Sequence, residues 1–446
     1  MTEVLLRIEK LVPGGMGLAR LDGRVVFVPG TAPGDRIRAR IEAEHRQHMR
    51  ARCLEILEPG PDTVDPGCEH DGVCGGCQMR RLSPAMQETI KEGFVREGLE
   101  RIAHLDAGCL RRLLPATTRD GYRRRATLQV HWNGTRILLG FFAHNSHDIV
   151  DLTGCPVLDP RLASLLAPLR RHIATLECRD QLSGIEVVAG DTTLGMVFCL
   201  LRPASRADMK RMGAFAAERE IAQLWVRIGK AMARPLTNNA PLSYGIAGLE
   251  LTFAPEDFVQ GHAGQNRVLV EETLRLAGKR QMVWDLFCGI GNFTLPLARQ
   301  SGMVMGVDLV SGALRRAAEN ARRQGMRQIQ WLQRDLFRPE GLQQLPTKDP
   351  VDLVVLDPPR NGAEALCRYL ATNSTGQVVY VSCDPATFAR DAAILVAGGY
   401  GLELVQPVDL FPQTRHVEMV SLFKWSGEQH GDGKDPKKYS HMGSIF

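Results

Sequence analysis

Cys383, in YVSCDPATFARD, closes an apolar run and stands two residues before Pro385, a residue suited to the first turn of a helix. A thiol placed where a strand gives way to a helix is a candidate nucleophile, because the positive helix end can lower its pKa from a free value of about 8.5. Asp384 works against that lowering. Glu418, in RHVEMVSLF, is a carboxylate inside an otherwise apolar run. Such a residue either lies outward on an edge strand or faces a site, where burial raises its pKa towards that of a useful base. A nucleophilic thiol and a base together suit covalent catalysis at a carbon that reacts only after it has been attacked.

A second set of reactive side chains lies upstream. CEHDGVCGGC contains Cys68, Cys74 and Cys77 in a Cys-x5-Cys-x2-Cys pattern, and Cys155 in DLTGCPVLD is a fourth candidate. Four thiolates suit either tetrahedral zinc or a cubane iron-sulfur cluster, and His70 competes as a zinc ligand, so ligand type alone leaves both open. Eleven cysteines in a 446-residue chain argue for ligation or catalysis rather than a disulfide framework if the compartment is reducing. The charged start MTEVLLRIEK lacks the apolar core of a signal peptide and no run reaches 18 apolar residues, so a cytoplasmic protein with no membrane partner is expected.

The net charge of +5 is too mild to identify a nucleic-acid binder. Locally, however, Arg111, Arg112, Arg119, Arg123, Arg124 and Arg125 surround Tyr122 and precede Trp132. Such a run either holds phosphates while aromatics stack on bases, or is a solvated face.

Four regions must position these residues. Residues 1–59 read as five short strands separated by Pro-Gly and Asp-Gly turns, an OB-like β-barrel. Residues 60–265 mix a helical stretch, 78–105, with strands at 123–130, 137–142, 185–188 and 193–201, an α+β domain. Residues 266–425 alternate strands and helices, which predicts a doubly wound, Rossmann-like parallel sheet. Residues 426–446 carry too few apolar side chains to bury a core and are expected to be disordered. The whole is a multidomain α/β protein.

In the third region VWDLFCGIGNFTLPLA runs from strand through Gly289 and Gly291 into a helix, and Asp308 follows the next strand at a spacing suited to ribose hydroxyls. A dinucleotide site is one reading, although the full G-x-G-x-x-G is missing; the loop also resembles motif I of S-adenosylmethionine (SAM) methyltransferases. Asp335, Asp357 and Cys383 end further strands and should share the same crevice. Arg360 follows Asp-Pro-Pro where amino-methyltransferases carry an aromatic ring, which argues against amine methylation. Methylation of pyrimidine C5 instead needs a thiolate that adds to C6 and a base that removes the C5 proton.

The combination of DLFCGIGNFT, DPPRNG, YVSCDPATFARD and RHVEMVSLF resembles the RNA uracil-5-methyltransferase family, over nearly everything from residue 1 to about 424. PGGMGLARLDGRVVFVPGTAPGD resembles a TRAM domain, an RNA-binding barrel. The resemblance implies Cys383 as nucleophile, Glu418 as proton acceptor, and SAM contacts at Gln260, Phe287, Asn292, Asp308, Asp335 and Asp357. Gln260 lies in FVQGH where the family usually reads F-x-Q-V-N, so Gly261 and His262 depart from the pattern. It also implies a [4Fe-4S] cluster on Cys68, Cys74, Cys77 and Cys155, with zinc as the alternative and Cys109 and Cys178 as bystanders. Radical-SAM methylthiotransferases, which also join a cluster to a TRAM module, need Cys-x3-Cys-x2-Cys and fit less well.

Within the family, the TRAM module, cluster cysteines and length most resemble monomeric enzymes acting on 23S ribosomal RNA. Another 23S site or the transfer-RNA T-loop is the alternative substrate. From another class, a non-catalytic RNA-binding assembly protein is opposed by intact Cys383, Glu418 and Asp357.

Overall fold

The computed structural model describes residues 2–346, 350–373 and 375–426. Beyond Ser426, the tail expected to be disordered lies outside the described residues.

The first six strands are β1 (Glu3–Arg7), β2 (Lys10–Leu11), β3 (Gly17–Leu21), β4 (Arg24–Val28), β5 (Arg36–Glu44) and β6 (His48–Glu58). They pair in the order β1-β5-β6-β4-β3-β2. Since β1 and β2 are consecutive in the chain yet occupy opposite ends of that order, the sheet closes into a barrel. Alternation along the strands sends Leu6, Ala19, Val26, Val28, Ile37, Ala39 and Ile41 into its core. The two-residue β2 is too short to alternate, and for that reason only five strands were legible in the sequence. Asp35, fully buried, accepts from the Ala32 and Gly60 amides and pairs with Arg81, tying the barrel to the next segment.

Helix α1 (Pro84–Gly98) starts at Ser83, whose Oγ accepts from the Met86 amide. Seven strands follow: β7 (Arg125–Trp132), β8 (Ile137–Phe142), β9 (Ile149–Asp151), β10 (Leu182–Ala189), β11 (Leu194–Leu200), β12 (Ile221–Ile228) and β13 (Arg234–Asn238). Their order is β13-β12-β11-β10-β7-β8-β9, and every neighbouring pair is antiparallel except β11 with β12. Helices α2 (Pro160–Ala163), α3 (Leu166–Ala174) and α4 (Arg206–Glu218) bury Leu162, Leu166, Leu169, Ile173, Met212 and Phe215 in its core. A hairpin, β14 (Leu242–Ile246) with β15 (Leu249–Phe253), leads out of this region.

The third sheet runs through α5 (Ala263–Ala277), β16 (Arg280–Leu286), α6 (Thr294–Ala298), β17 (Ser301–Asp308), α7 (Ser311–Arg323), β18 (Ile329–Gln333) and α8 (Pro339–Gln343). It continues through β19 (Leu353–Leu356), α9 (Glu364–Thr372), β20 (Gln377–Ser382), α10 (Pro385–Ala397), β21 (Tyr400–Val408) and β22 (Glu418–Trp425). The strand order is β18-β17-β16-β19-β20-β22-β21, with β22 antiparallel to both neighbours. Chain progression reverses direction between β16 and β19, which opens a crevice at the carboxyl ends of those strands. Because β22 runs backwards, its first residue lies at this same edge: Ser382 pairs with Met419, and Val408 with Glu418.

This sheet draws its cover from both sides of residue 266. Val95 and Leu99 share a core with Trp284 and Phe388, and Leu242, Tyr244 and Leu251 share one with Val283 and Ile290. The Arg111 amide donates to Val405 O and the Leu114 amide to Pro407 O, extending the sheet beyond β21. No helix among the described residues is long and apolar enough to cross a membrane.

Candidate active site

Cys383 follows β20 and is partly buried. Asp384 caps α10, its Oδ1 accepting from the Ala386 and Thr387 amides at 3.0 Å. The carboxylate therefore takes the helix amides that would otherwise favour a thiolate. Burial, then Glu418 and Asp357, push the thiol up to about 12, with Arg360 pulling it down. The expectation of a thiol lowered by the helix end is thus reversed in the free protein.

Glu418 is 4% exposed, which excludes the outward edge-strand reading. Burial and the charge of Asp357 push its carboxyl up to about 8, against the pull of Arg360. Burial likewise pushes Asp357 up to about 7. The charges of Asp357 and Arg360 thus reach both the Cys383 thiol and the Glu418 carboxyl. The exposed Arg360 also approaches His416 Nε2 at 3.4 Å, and burial among cations drives that imidazole down to about 3.

The crevice gathers the remaining candidates. Phe287 and Asp357 directly follow β16 and β19, Asp308 is the last residue of β17, and Asp335 lies two residues beyond β18. Phe287 is held at φ 67°, a left-handed conformation rare for a bulky residue, and its ring lies 5.4 Å from that of Phe337. Gly289 and Gly291 also have positive φ, giving the tight turn the sequence suggested. The Gly289 amide donates to Asp308 Oδ2 and the Val310 amide to Oδ1, at 2.9 and 2.8 Å. Exposed Leu309, Val310 and Phe337 form an apolar rim beside this carboxylate. Asp335 Oδ1 accepts from the Phe337 amide, and its other oxygen pairs with Arg338.

Asn292 uses its side chain inside the protein: Oδ1 accepts from Tyr244 and Asn266, and Nδ2 donates to Asn266. Gln260 is buried, its carbonyl accepting from Arg124 Nε. The departures beside it have a local logic. A Cβ on Gly261 would stand 2.9 Å from the Phe411 ring, and His262 caps α5 through Nδ1 while stacking on Tyr122.

One residue was missed from the sequence. Asp285 is fully buried in the last turns of β16, bonded through Oδ2 to Thr294, while Oδ1 has no partner, and burial pushes the group up to about 7. An acid within the apolar run VWDLF was the available signal.

The four cysteines Cys68, Cys74, Cys77 and Cys155 line a single cavity together with His70, Arg80 and Arg123. Among the described residues no three His, Cys, Asp or Glu side chains converge closely enough to hold a single metal ion. Burial raises the thiols of Cys74 and Cys155 and pushes Cys77 up to about 12.

The arginine run is not one surface. Arg124 is 4% exposed, lies 4.6 Å over the Tyr244 ring and bonds Gln260 O. Arg125 bonds the Pro255 carbonyl and Glu186, while Arg119 bonds Gln87 and approaches Asp409. Of the six arginines only Arg111 and Arg112 are exposed.

Residues 111–425 match the model of the family described as tRNA (Uracil-5-)-methyltransferase, and residues 2–54 match that of the TRAM domain. The 23S rRNA (uracil(1939)-C(5))-methyltransferase RlmD of Thiobacillus denitrificans is 39% identical over 425 residues, spanning 92% of this chain and 97% of that one. Its counterpart in Aromatoleum aromaticum is 36% identical over 429 residues, spanning 94% and 98%. Among solved structures, the tRNA (uracil-54, C5)-methyltransferase of Pyrococcus abyssi, in complex with S-adenosyl-L-homocysteine, has a TM-score of 0.72 at 21% identity. It spans 94% of this chain and 100% of that one, a likeness of fold.

Proposed function

The chain belongs to the RNA (uracil-5-)-methyltransferase family, and from that premise we propose that it methylates C5 of one uridine in 23S ribosomal RNA with SAM as donor. One observation carries the mechanism: the reversed strand β22 brings the buried Glu418 carboxyl to the edge where β20 ends just before Cys383. SAM supplies an electrophilic methyl group. Gln260, Phe287, Asn292, Asp308, Asp335 and Asp357 frame the crevice that would hold it.

Cys383 sulfur adds to C6 and gives its proton to Asp357, the facing carboxyl most readily ionised near neutrality. The ring electrons collect at C5 and O4, beside the exposed Arg360 guanidinium, and C5 would take the methyl group as the donor's S–CH3 bond breaks and its electron pair stays on the departing thioether sulfur. Glu418 in its ionised form then removes the C5 proton. The electrons of that C–H bond restore the C5=C6 double bond as the C6–S bond breaks, the thiolate recovers a proton from Asp357, and Glu418 passes the C5 proton to water. General base and nucleophile are separate groups, as this sequence of steps requires. Transfer of label from SAM to unmodified 23S RNA, with transfer RNA as comparison, tests the substrate. Label in 5-methyluridine of 23S RNA alone is expected; label confined to transfer RNA would overturn the choice.

A [4Fe-4S] cluster on Cys68, Cys74, Cys77 and Cys155 is part of this reading. The four cysteines line one cavity, and of the two groups that four thiolates suit, the family resemblance favours the cubane cluster over zinc. Metal analysis of protein prepared without oxygen should find iron; one zinc and no iron per chain would replace the cluster and leave the methyl transfer standing.

A further inference from the structure

Residues 409–417 connect β21 to Glu418, and they are held almost wholly by side chains and backbone from residues 78–122. Lys91 and Asp409 are both fully buried and meet at 2.5 Å. Lys91 Nζ also donates to Phe411 O at 2.9 Å. Arg119 approaches the second Asp409 oxygen at 3.4 Å and donates to Gln87 Oε1 at 2.7 Å. Gln87 in turn accepts from the Gln413 amide and donates to Gln413 Oε1. The amides of Gln78 and Met79 donate to Gln413 O, and Tyr122 donates to Pro412 O. Gln413 itself is held at φ 68°.

A buried ion pair returns little stability, because taking both charges out of water costs about what their attraction gives. Its retention, with left-handed backbone at a non-glycine residue, points instead to a fixed conformation. What that conformation serves lies at its end, since the connection delivers Glu418 to the edge beside Cys383.

We propose that Lys91 and Asp409, braced by Arg119, Gln87 and Gln413, are positioning residues that hold the 409–417 connection so that Glu418 faces Cys383, a role that rests on the methyl-transfer reading above. None of them touches the reacting atoms. Loss of the brace loosens the return path, admits water to Glu418 and slows removal of the C5 proton more than any earlier step. The groups that face Glu418, namely Cys383 at the end of β20 and Asp357 and Arg360 beyond β19, are left unchanged.

The test uses full-length Lys91→Met/Asp409→Asn, which removes both charges together and so avoids a lone buried ion. The expected results are a Tm close to wild type, an unchanged KM for SAM, a kcat at least about tenfold lower, and a larger fraction of RNA held as the covalent adduct. The acidic limb of the rate profile should move towards ordinary carboxylate values as Glu418 is rehydrated. A folded double variant with wild-type kcat, profile and adduct level would overturn the proposal. Should the pair prove necessary for folding, Gln413→Ala alters no charge and must show the same accumulation of adduct, or the proposal fails. Wild-type protein in the same assay separates the premise: if it transfers no methyl group to RNA, the reaction assignment is at fault rather than the brace.

Discussion

Asp285 illustrates what a single residue type can and cannot reveal. Its carboxyl is raised from an ordinary 3.8 to about 7, so between those values the folded protein holds a proton that the unfolded chain has lost. More protons bound in the folded state means that its contribution to stability is present below about pH 4 and lost as pH rises through about 7. Asp285→Asn cannot ionise, so the fall in Tm between pH 5 and pH 8 should be smaller in the variant than in wild type; equal falls would place the titration elsewhere. The places of Cys383 and Glu418 at strand ends were legible because a reactive type stood at the border of an apolar run. Arg124 was not, because a run of arginines looks the same whether its members face water or, as here, a Tyr244 ring and a buried carbonyl. Direction of the Cys383 shift was hidden too: only the folded chain places Glu418 and Asp357 beside it and lets Asp384 occupy the helix amides.

At the scale of elements, Asp384 serves two ends that pull apart. It caps α10 by accepting two amides, and it also raises the adjacent thiol. Asp384→Ala should cost about 1 kcal/mol of stability, read by denaturant unfolding, as caps of this kind do. The same variant should speed alkylation of Cys383 at fixed pH, since one opposing charge is gone. Slower alkylation in a folded variant would mean that the cap orders Cys383 more than it burdens it. The βα alternation of the third region was plain in the sequence because its inner strands, such as β19 and β20, are buried on both faces and form continuous apolar runs. The hairpin β14–β15 was not, and it packs with Val283 and Ile290 of the third region as well as with Val188 of the central sheet that precedes it. Periodicity reports that a face is apolar and is silent on which neighbour covers it.

Across the whole molecule, charged contacts tie the barrel to the segment that carries α1, Asp35 with Arg81 and Lys10 with Glu97. RNA affinity should therefore depend on exposed cations rather than on arginine count. Replacing Arg111 and Arg112 by Ala should flatten the dependence of log affinity on log salt by about one unit for each phosphate no longer neutralised. Arg124→Ala should leave the slope alone and lower Tm; the opposite pattern would return Arg124 to the RNA-facing surface. The central claim, that a thiol of one strand and a carboxylate of its reversed neighbour act in succession, is tested most directly by incubating Glu418→Gln with 23S RNA and labelled SAM and running the product on a denaturing gel. A covalent protein-RNA species carrying the label, absent from Cys383→Ala and from the Cys383→Ala/Glu418→Gln double variant, is the predicted result. Free methylated RNA released by Glu418→Gln at the wild-type rate would contradict it.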